Sequence, residues 1–276
     1  MKIAICISGE TRGYNYVTET GRNKPEAYYL RQFMDILLSY LPEAELDIYG
    51  HTWDHCKKPN TSLINFKKLE IINQNALIDK WTRKNFLTRV WTQESFMPEL
   101  IAGEELQFIE NCLEMTRRKY GQVFGAFAAY NMIEDPSQYD AVIRWRWDIG
   151  LQEEIVESNL ERFFQLIRNC IRDSMPLTLT KSSGYYIAHN PTGQWLPDDV
   201  IFIHNKSASE IICKADIGNT IDKIYSHMGY EKHSDHILWA KVLDAIEVGT
   251  LSTHMPDIIH IKRVGPWARG PEGPPS

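Results

Sequence analysis

The sequence predicts an α/β chain in which a mostly parallel central sheet is flanked by helices, and three stretches carry that expectation. Lys2 to Ile7 is a compact apolar run of strand type that breaks at Ser8-Gly9-Glu10-Thr11-Arg12-Gly13. Behind a leading proline, Pro25 to Leu41 places Leu30, Phe33, Met34, Leu37, Leu38 and Leu41 at helical spacing, and Ala44 to Tyr49 returns to a strand pattern. Tyr139 to Gly150 opens on the β-branched Val142-Ile143 and runs into Arg144-Trp145-Arg146-Trp147-Asp148. A strand-helix-strand order makes a right-handed parallel pairing the expected arrangement. It sets the turn after Ser8 beside a turn at Thr52-Trp53-Asp54.

The remaining elements follow in order. Leu69 to Ile72 reads as a strand. Glu104 to Met132 is a long helical region with an apolar face that includes Ile109, Leu113, Phe124 and Phe127, interrupted at Gly121 to Ala126. Leu160 to Ile171 is a helix, and Pro176 to Thr180 and Gly184 to Ala188 read as two short strands separated by Lys181-Ser182-Ser183. Trp195 to Asn205 carries Pro197-Asp198-Asp199 ahead of an apolar strand; a strand start, a β-turn and a helix cap all accommodate those three residues. Asp216 to Val248 is helical with a break at Gly229-Tyr230, and Ile258 to Arg263 is a last strand before a Pro/Gly-rich stretch. One domain over residues 1–264 with an irregular tail at 265–276 is the expected organisation.

Composition narrows the function classes. With 276 residues, 43% of them hydrophobic, the chain is long enough for one sizeable core, and no apolar run approaches the ~20 residues of a membrane span. The apolar start, Met1 to Ile7, is too short for a signal peptide, so the expected location is the cytoplasm. Five cysteines, Cys6, Cys56, Cys112, Cys170 and Cys213, form no C-x-x-C pair and suggest neither a disulfide framework nor a zinc knuckle. The net charge of −6 argues against a wholly basic nucleic-acid binder, yet residues 57–93 hold eight Lys or Arg against Glu70 and Asp79, a local +6 interleaved with Trp81, Phe86 and Trp91. That stretch is either a phosphate-binding surface or a solvated basic face.

Chemistry concentrates at strand ends. In open α/β sheets ligands sit beyond the carboxyl ends of the strands, where Arg144, Arg146 and Asp148 could hold phosphates and a metal. Neither a G-x-G-x-x-G nor a P-loop pattern occurs, so Ser8-Gly9 is a small turn whose glycine admits close backbone approach. His51, Asp54 and His55 lie close together without the H-E-x-x-H spacing of a zinc helix. Trp53 is either a platform for a base or core. The paired carboxylates Asp198 and Asp199 are too costly to bury without partners and so face a cation, a polar ligand or solvent.

Taken together, Lys2 to Gly13, Tyr49-Gly50-His51-Thr52-Trp53-Asp54, Tyr139 to Asp148 and Pro197-Asp198-Asp199 resemble the GT-A-type glycosyltransferase-like proteins that bacteria and tailed phages encode for polysaccharide or phage DNA decoration. The resemblance covers roughly residues 1–205 and implies a GT-A-like, single Rossmann-type domain in a bacterial or phage-infected cytosol. It further implies a nucleoside-diphosphate sugar, of UDP type, as donor, with Ser8, Gly9, Arg12, Thr52, Trp53, Arg144 and Arg146 contacting the nucleotide. Asp148 corresponds to the second carboxylate of the family's D-x-D motif, a ligand of Mn²⁺ or Mg²⁺ together with His260, while Arg146 stands where the first carboxylate is expected. Asp199, with Asp198, takes the place of the residue that orients or deprotonates the acceptor hydroxyl, Glu231 and Asp235 being the reserve. The acceptor is a surface glycan or a hydroxymethylated pyrimidine in DNA. A non-catalytic sugar- or nucleic-acid-binding module and a nucleotidyltransferase are the competing readings.

Overall fold

In the computed structural model of the chain, the described residues are 1–9, 16–17, 23–24, 27–54, 62–74, 76, 121–147, 149–151, 157–186, 195–228, 235–253 and 261–263. They form β1 (Lys2–Ser8), β2 (Tyr16–Val17), β3 (Asn23–Lys24), α1 (Ala27–Tyr40), β4 (Glu45–Trp53) and β5 (Lys68–Ile72) in the first part of the chain. A helix over residues 121–130 follows (α2), then β6 (Ala141–Arg146), β7 (Ile149–Leu151), α3 (Glu157–Arg172), β8 (Leu177–Tyr186) and β9 (Trp195–Asn205). The last elements are α4 (Lys206–Ile212), α5 (Ile217–Met228), α6 (Asp235–Ala245), β10 (Gly249–Thr253) and β11 (Ile261–Arg263).

Seven strands make one sheet in the order β10-β8-β9-β6-β1-β4-β5. β1 pairs in parallel with both β4 and β6, β4 with β5, and β10 with β8. β9 is antiparallel to both of its neighbours, so it alone among these seven runs against the rest. The sheet is therefore mostly parallel, and both faces are covered by helices, as buried parallel strands require.

Alternation along the strands sorts side chains between those faces. On one face Ile3, Ile5, Ile7, Ile143 and Trp145 pack against Leu30, Phe33 and Leu37 of α1 and Phe163, Phe164 and Ile167 of α3. Phe33 stacks on Trp145 with ring centroids 4.3 Å apart. On the other face Ala4, Cys6, Tyr49, Trp53, Val142 and Phe202 meet Val123, Ala126 and Tyr130 of α2 and Leu238, Trp239 and Val242 of α6.

Two local readings change, at 52–53 and 177–186, and two open ones are decided, at 197–199 and at Gly125. Thr52 and Trp53 end β4 instead of forming a turn, because pairing with β5 continues through Trp53 opposite Ile72. Residues 177–186 are one strand: β9 carries the ladder past the polar Lys181-Ser182-Ser183 by register shifts on both sides of Ser182. Pro197-Asp198-Asp199 lies within β9, and Pro197, which has no N–H to give, sits opposite Ser182 at that irregularity. Gly125 does not break α2; it lets the helix approach the sheet, since a Cβ there would lie 3.2 Å from Nδ1 of His51. The tail beyond residue 264 lies outside the described residues.

Candidate functional site

The sheet order places a change of winding direction between β1 and β6. From β1 the chain proceeds through α1 to β4 on one side, and from β6 it proceeds toward β8 and β9 on the other. Where the connections of two adjacent parallel strands diverge, a crevice opens beyond their carboxyl ends. Here those ends are Ser8-Gly9 and Arg146-Trp147, with Ser8 opposite Arg146 in the ladder and the Trp147 N–H donating to the Ser8 carbonyl at 3.4 Å. Gly9 has φ +116°, in the left-handed region that disfavours side chains, and nothing stands within 4 Å of where its Cβ would be. The glycine is needed for the turn of the backbone, not for room.

Four of the residues expected at the nucleotide share one face. Ser8, Trp53, Arg144 and Arg146 all project toward α2 and α6, by strand alternation from Cys6, Tyr49 and Val142. Thr52, fully buried, alternates to the opposite face, so the adjacent ends of β1 and β4 do not present Ser8 and Thr52 together. Trp53 is 1% exposed and packs edge-on against His51 at 4.4 Å, a core position.

The two arginines differ. Arg144, 1% exposed, lies mid-sheet with its guanidinium 4.8 Å from the ring centre of Trp239 and 5.3 Å from that of Phe202, a cation held by aromatic faces. Arg146 is 7% exposed at the strand end and donates from an Nη to Oε1 of Gln122 at 3.1 Å. On the other face, the indole N–H of Trp147 donates to the His51 carbonyl at 2.8 Å, bracing the backbone just before Asp148.

His51 belongs to this neighbourhood. It is fully buried, burial lowers its pKa to about 4, and both ring nitrogens, like Oγ of Ser8, have no hydrogen-bond partner among the described residues. Unsatisfied buried polar atoms of this kind ask for a water or a ligand group. Asp54, by contrast, is exposed and accepts from Asn73 at 2.6 Å, so the two do not converge on a metal. Deeper along the same face a neutral chain links Thr178, His204 and Tyr130, each contact 2.8 Å. Burial, and then the charge of Arg144, lowers the pKa of His204 to about 3.

Arg12, Asp148 and His260 lie outside the described residues, as do Arg83, Lys84, Trp81, Phe86 and Trp91 of the basic stretch. The backbone at Asp198 and Asp199 is strand. Among the described residues no group of three or more His, Cys, Asp or Glu could hold a metal ion. What local pattern did not announce is the partner of the last strand: β11 runs antiparallel to β7 with Arg263 opposite Ile149 and Lys262 opposite Gly150, returning a basic segment to the exit of β6.

No family model matches the chain, and no curated protein matches it. Among solved structures it is similar to apo mouse xyloside xylosyltransferase 1 at 10% identity, covering 91% of this chain and 84% of that one, with a TM-score of 0.39. It is similar to the galactosyltransferase LgtC in complex with donor and acceptor sugar analogs at 9% identity, covering 91% of this chain and 73% of that one, with a TM-score of 0.38. An active-site mutant of LgtC aligns at 11% identity over 91% and 72% of the two chains, with a TM-score of 0.40.

Proposed function

We propose that the chain is a glycosyltransferase that moves a sugar from a nucleoside-diphosphate sugar, of UDP type, to an acceptor hydroxyl. The observation that carries this reading is the convergence of Ser8-Gly9 and Arg146 on the diverging ends of β1 and β6, with Asp148 next along the chain. The sequence motifs shared with GT-A-type proteins support it. A guanidinium at a strand end matches phosphate oxygens, and the left-handed turn at Gly9 ends β1 beside it. In the transfer the bond between the sugar C1 and the diphosphate oxygen breaks, its electron pair leaves with the nucleoside diphosphate, and the acceptor oxygen bonds to C1. Asp199, with Asp198 beside it, receives the acceptor proton. Arg146 stabilises the charge that develops on the leaving diphosphate, the interaction that grows most toward the transition state.

A divalent cation, Mn²⁺ or Mg²⁺, would neutralise the same phosphate oxygens through Asp148 and His260. Among the described residues no group of three or more His, Cys, Asp or Glu builds such a site. The acceptor favoured here is a glycan. Of the basic stretch, Lys67 is 2.8 Å from Asp47 and Lys68 is 2.8 Å from Glu70, so those two charges are already engaged and less suited to a DNA backbone. The carboxylates at 198–199 suit the hydroxyls of a neutral sugar.

The test is incubation of purified protein with a panel of nucleotide sugars, reading slow release of free nucleoside diphosphate, alongside calorimetry with UDP. Hydrolysis of one donor is expected in the wild type and not in Asp148→Asn. Activity that survives chelation but is lost in Arg146→Ala identifies an arginine-supported reaction; activity lost on chelation assigns Asp148 to an ion. Absence of both hydrolysis and UDP binding would sink the enzyme in favour of a binding module, and salt-sensitive binding to duplex DNA would replace the glycan by DNA.

A further inference from the structure

We propose that His51, with Ser8 beside it, takes the nucleoside half of the donor, the imidazole reading a polar edge of the base and the Ser8 hydroxyl meeting the adjoining ribose; this rests on the nucleotide-sugar reading given above. The two residues are neighbours by register. Ile7 pairs with Gly50 in the parallel ladder of β1 and β4, so the next step of that ladder sets Ser8 beside His51, both on the side that α2 covers. Adjacent strands lie ~4.8 Å apart and no hydrogen bond joins the two side chains, so one ligand group can bridge them.

A second buried histidine on the same face shows what a structural imidazole needs. His204 meets the Tyr130 hydroxyl at one ring nitrogen and the Thr178 hydroxyl at the other, each at 2.8 Å. His51 is as deeply buried, yet among the described residues neither of its ring nitrogens has a hydrogen-bond partner, nor does Oγ of Ser8. Leaving such atoms unpaired costs stability, and the cost is offset where a ligand supplies the missing groups. Position separates the two histidines in the same way. His204 pairs with Val142 near the start of β6, whereas His51 and Ser8 stand at the carboxyl ends of parallel strands, where ligands of such sheets bind.

The imidazole is held in one orientation. Trp53 packs edge-on against it with ring centroids 4.4 Å apart, and a Cβ on Gly125 would lie 3.2 Å from Nδ1 and 3.3 Å from Cε1, so α2 closes that edge of the ring and Nε2 is the atom left for a ligand. The pair also selects the kind of group it takes. Burial keeps the ring neutral, with a pKa of about 4, and a neutral imidazole and a hydroxyl offer uncharged donors and acceptors. Phosphate oxygens are better matched by cations, whereas the N–H and C=O of a base and the hydroxyls of ribose are matched by this pair. Ser8 is opposite Arg146 on its other side, so the row β6-β1-β4 presents a phosphate contact, then a hydroxyl, then the imidazole, in the order phosphate, ribose, base.

The experiment measures calorimetric affinities of the full chain for UDP, uridine and inorganic pyrophosphate at pH 8 in wild type, His51→Leu and Ser8→Ala, with thermal melts of each. Wild type is expected to bind UDP more tightly than pyrophosphate. In His51→Leu the affinities for UDP and uridine are expected to fall by the same factor, about tenfold, with pyrophosphate binding unchanged. Ser8→Ala deletes one unpaired hydroxyl without altering the packing; it is expected to weaken UDP and uridine together while melting no lower than wild type, a combination that a merely structural serine would not give. UDP and uridine affinities that stay at the wild-type values in both variants, a loss of pyrophosphate binding along with UDP, a lower melting temperature in Ser8→Ala, or a wild type that binds UDP and pyrophosphate equally overturns the nucleoside site and leaves the enzyme reading standing. A wild type that binds none of the three overturns both.

Discussion

Arg144 and Arg146 stand two residues apart on one strand, yet their surroundings give them different tasks. Arg144 is enclosed, its guanidinium between Trp239 and Phe202 and its charge pressing on the neighbouring His204. A side chain of that size in a packed interior leaves a cavity when truncated, so Arg144→Ala is expected to lower unfolding free energy by roughly 3 kcal/mol. Arg144→Met keeps the volume and removes the buried charge, and its expected cost is within about 1 kcal/mol. Urea unfolding of the two variants checks this: equal losses would show that the charge, not the packing, is what the core requires. UDP affinity of a folded Arg144→Met then separates a wall residue from a phosphate contact. Glu247, at φ 59°, is the one non-glycine residue in the left-handed region among those described, closing α6 ahead of β10.

At the scale of elements, α2 decides how the site is built. It packs over His51, brings Gln122 to Arg146 and places Tyr130 on His204. Its docking depends on Gly125, where a methyl group would stand 3.2 Å from Nδ1 and 3.4 Å from a ring carbon of Trp53. Gly125→Ala would gain helix propensity, about 1 kcal/mol, but must push the helix off the sheet, and overpacking of this kind costs about 1–3 kcal/mol. The expected net result is a lower melting temperature together with weaker UDP binding, since the cover over His51 moves with the helix. A variant more stable than wild type with unchanged UDP affinity would show that α2 has slack at this position.

Across the whole molecule, buried neutral histidines tie stability to pH. In the unfolded chain His51 and His204 titrate near 6.5, whereas in the folded protein burial holds their pKa values at about 4 and about 3. Below pH 6.5 the unfolded chain therefore binds more protons than the folded one, and stability falls as pH drops, by up to ~1.4 kcal/mol per pH unit for each histidine. Above 6.5 both are neutral in either state and the contribution is flat. Denaturant midpoints measured from pH 8 to pH 4.5 are expected to hold level and then decline, and His51→Leu is expected to remove one histidine's share of the slope. A profile that is unchanged in that variant would mean that His51 gains its proton in the folded state.

The local pattern alone determined the elements whose burial has a simple period. β1, α1, β5, β6 and α3 lie where alternating or helical apolar spacing put them, because a side chain's burial on one element follows from its own spacing. The parallel pairing of β1 with β4 was legible too, since a strand-helix-strand order leaves few arrangements. Only the tertiary structure decided which of the expected site residues meet. Ser8 joins Arg146 across a ladder between residues 138 positions apart in the chain, and Thr52, one residue from Trp53, turns to the opposite face. The reversal of β9, the return of β11 to β7 and the reach of Gln122 from α2 are likewise absent from any local window. The physical reason is that a strand's sequence specifies which of its faces is buried but not which strand or helix buries it; that choice is made by long-range pairing and packing, and the site lies where three such choices coincide.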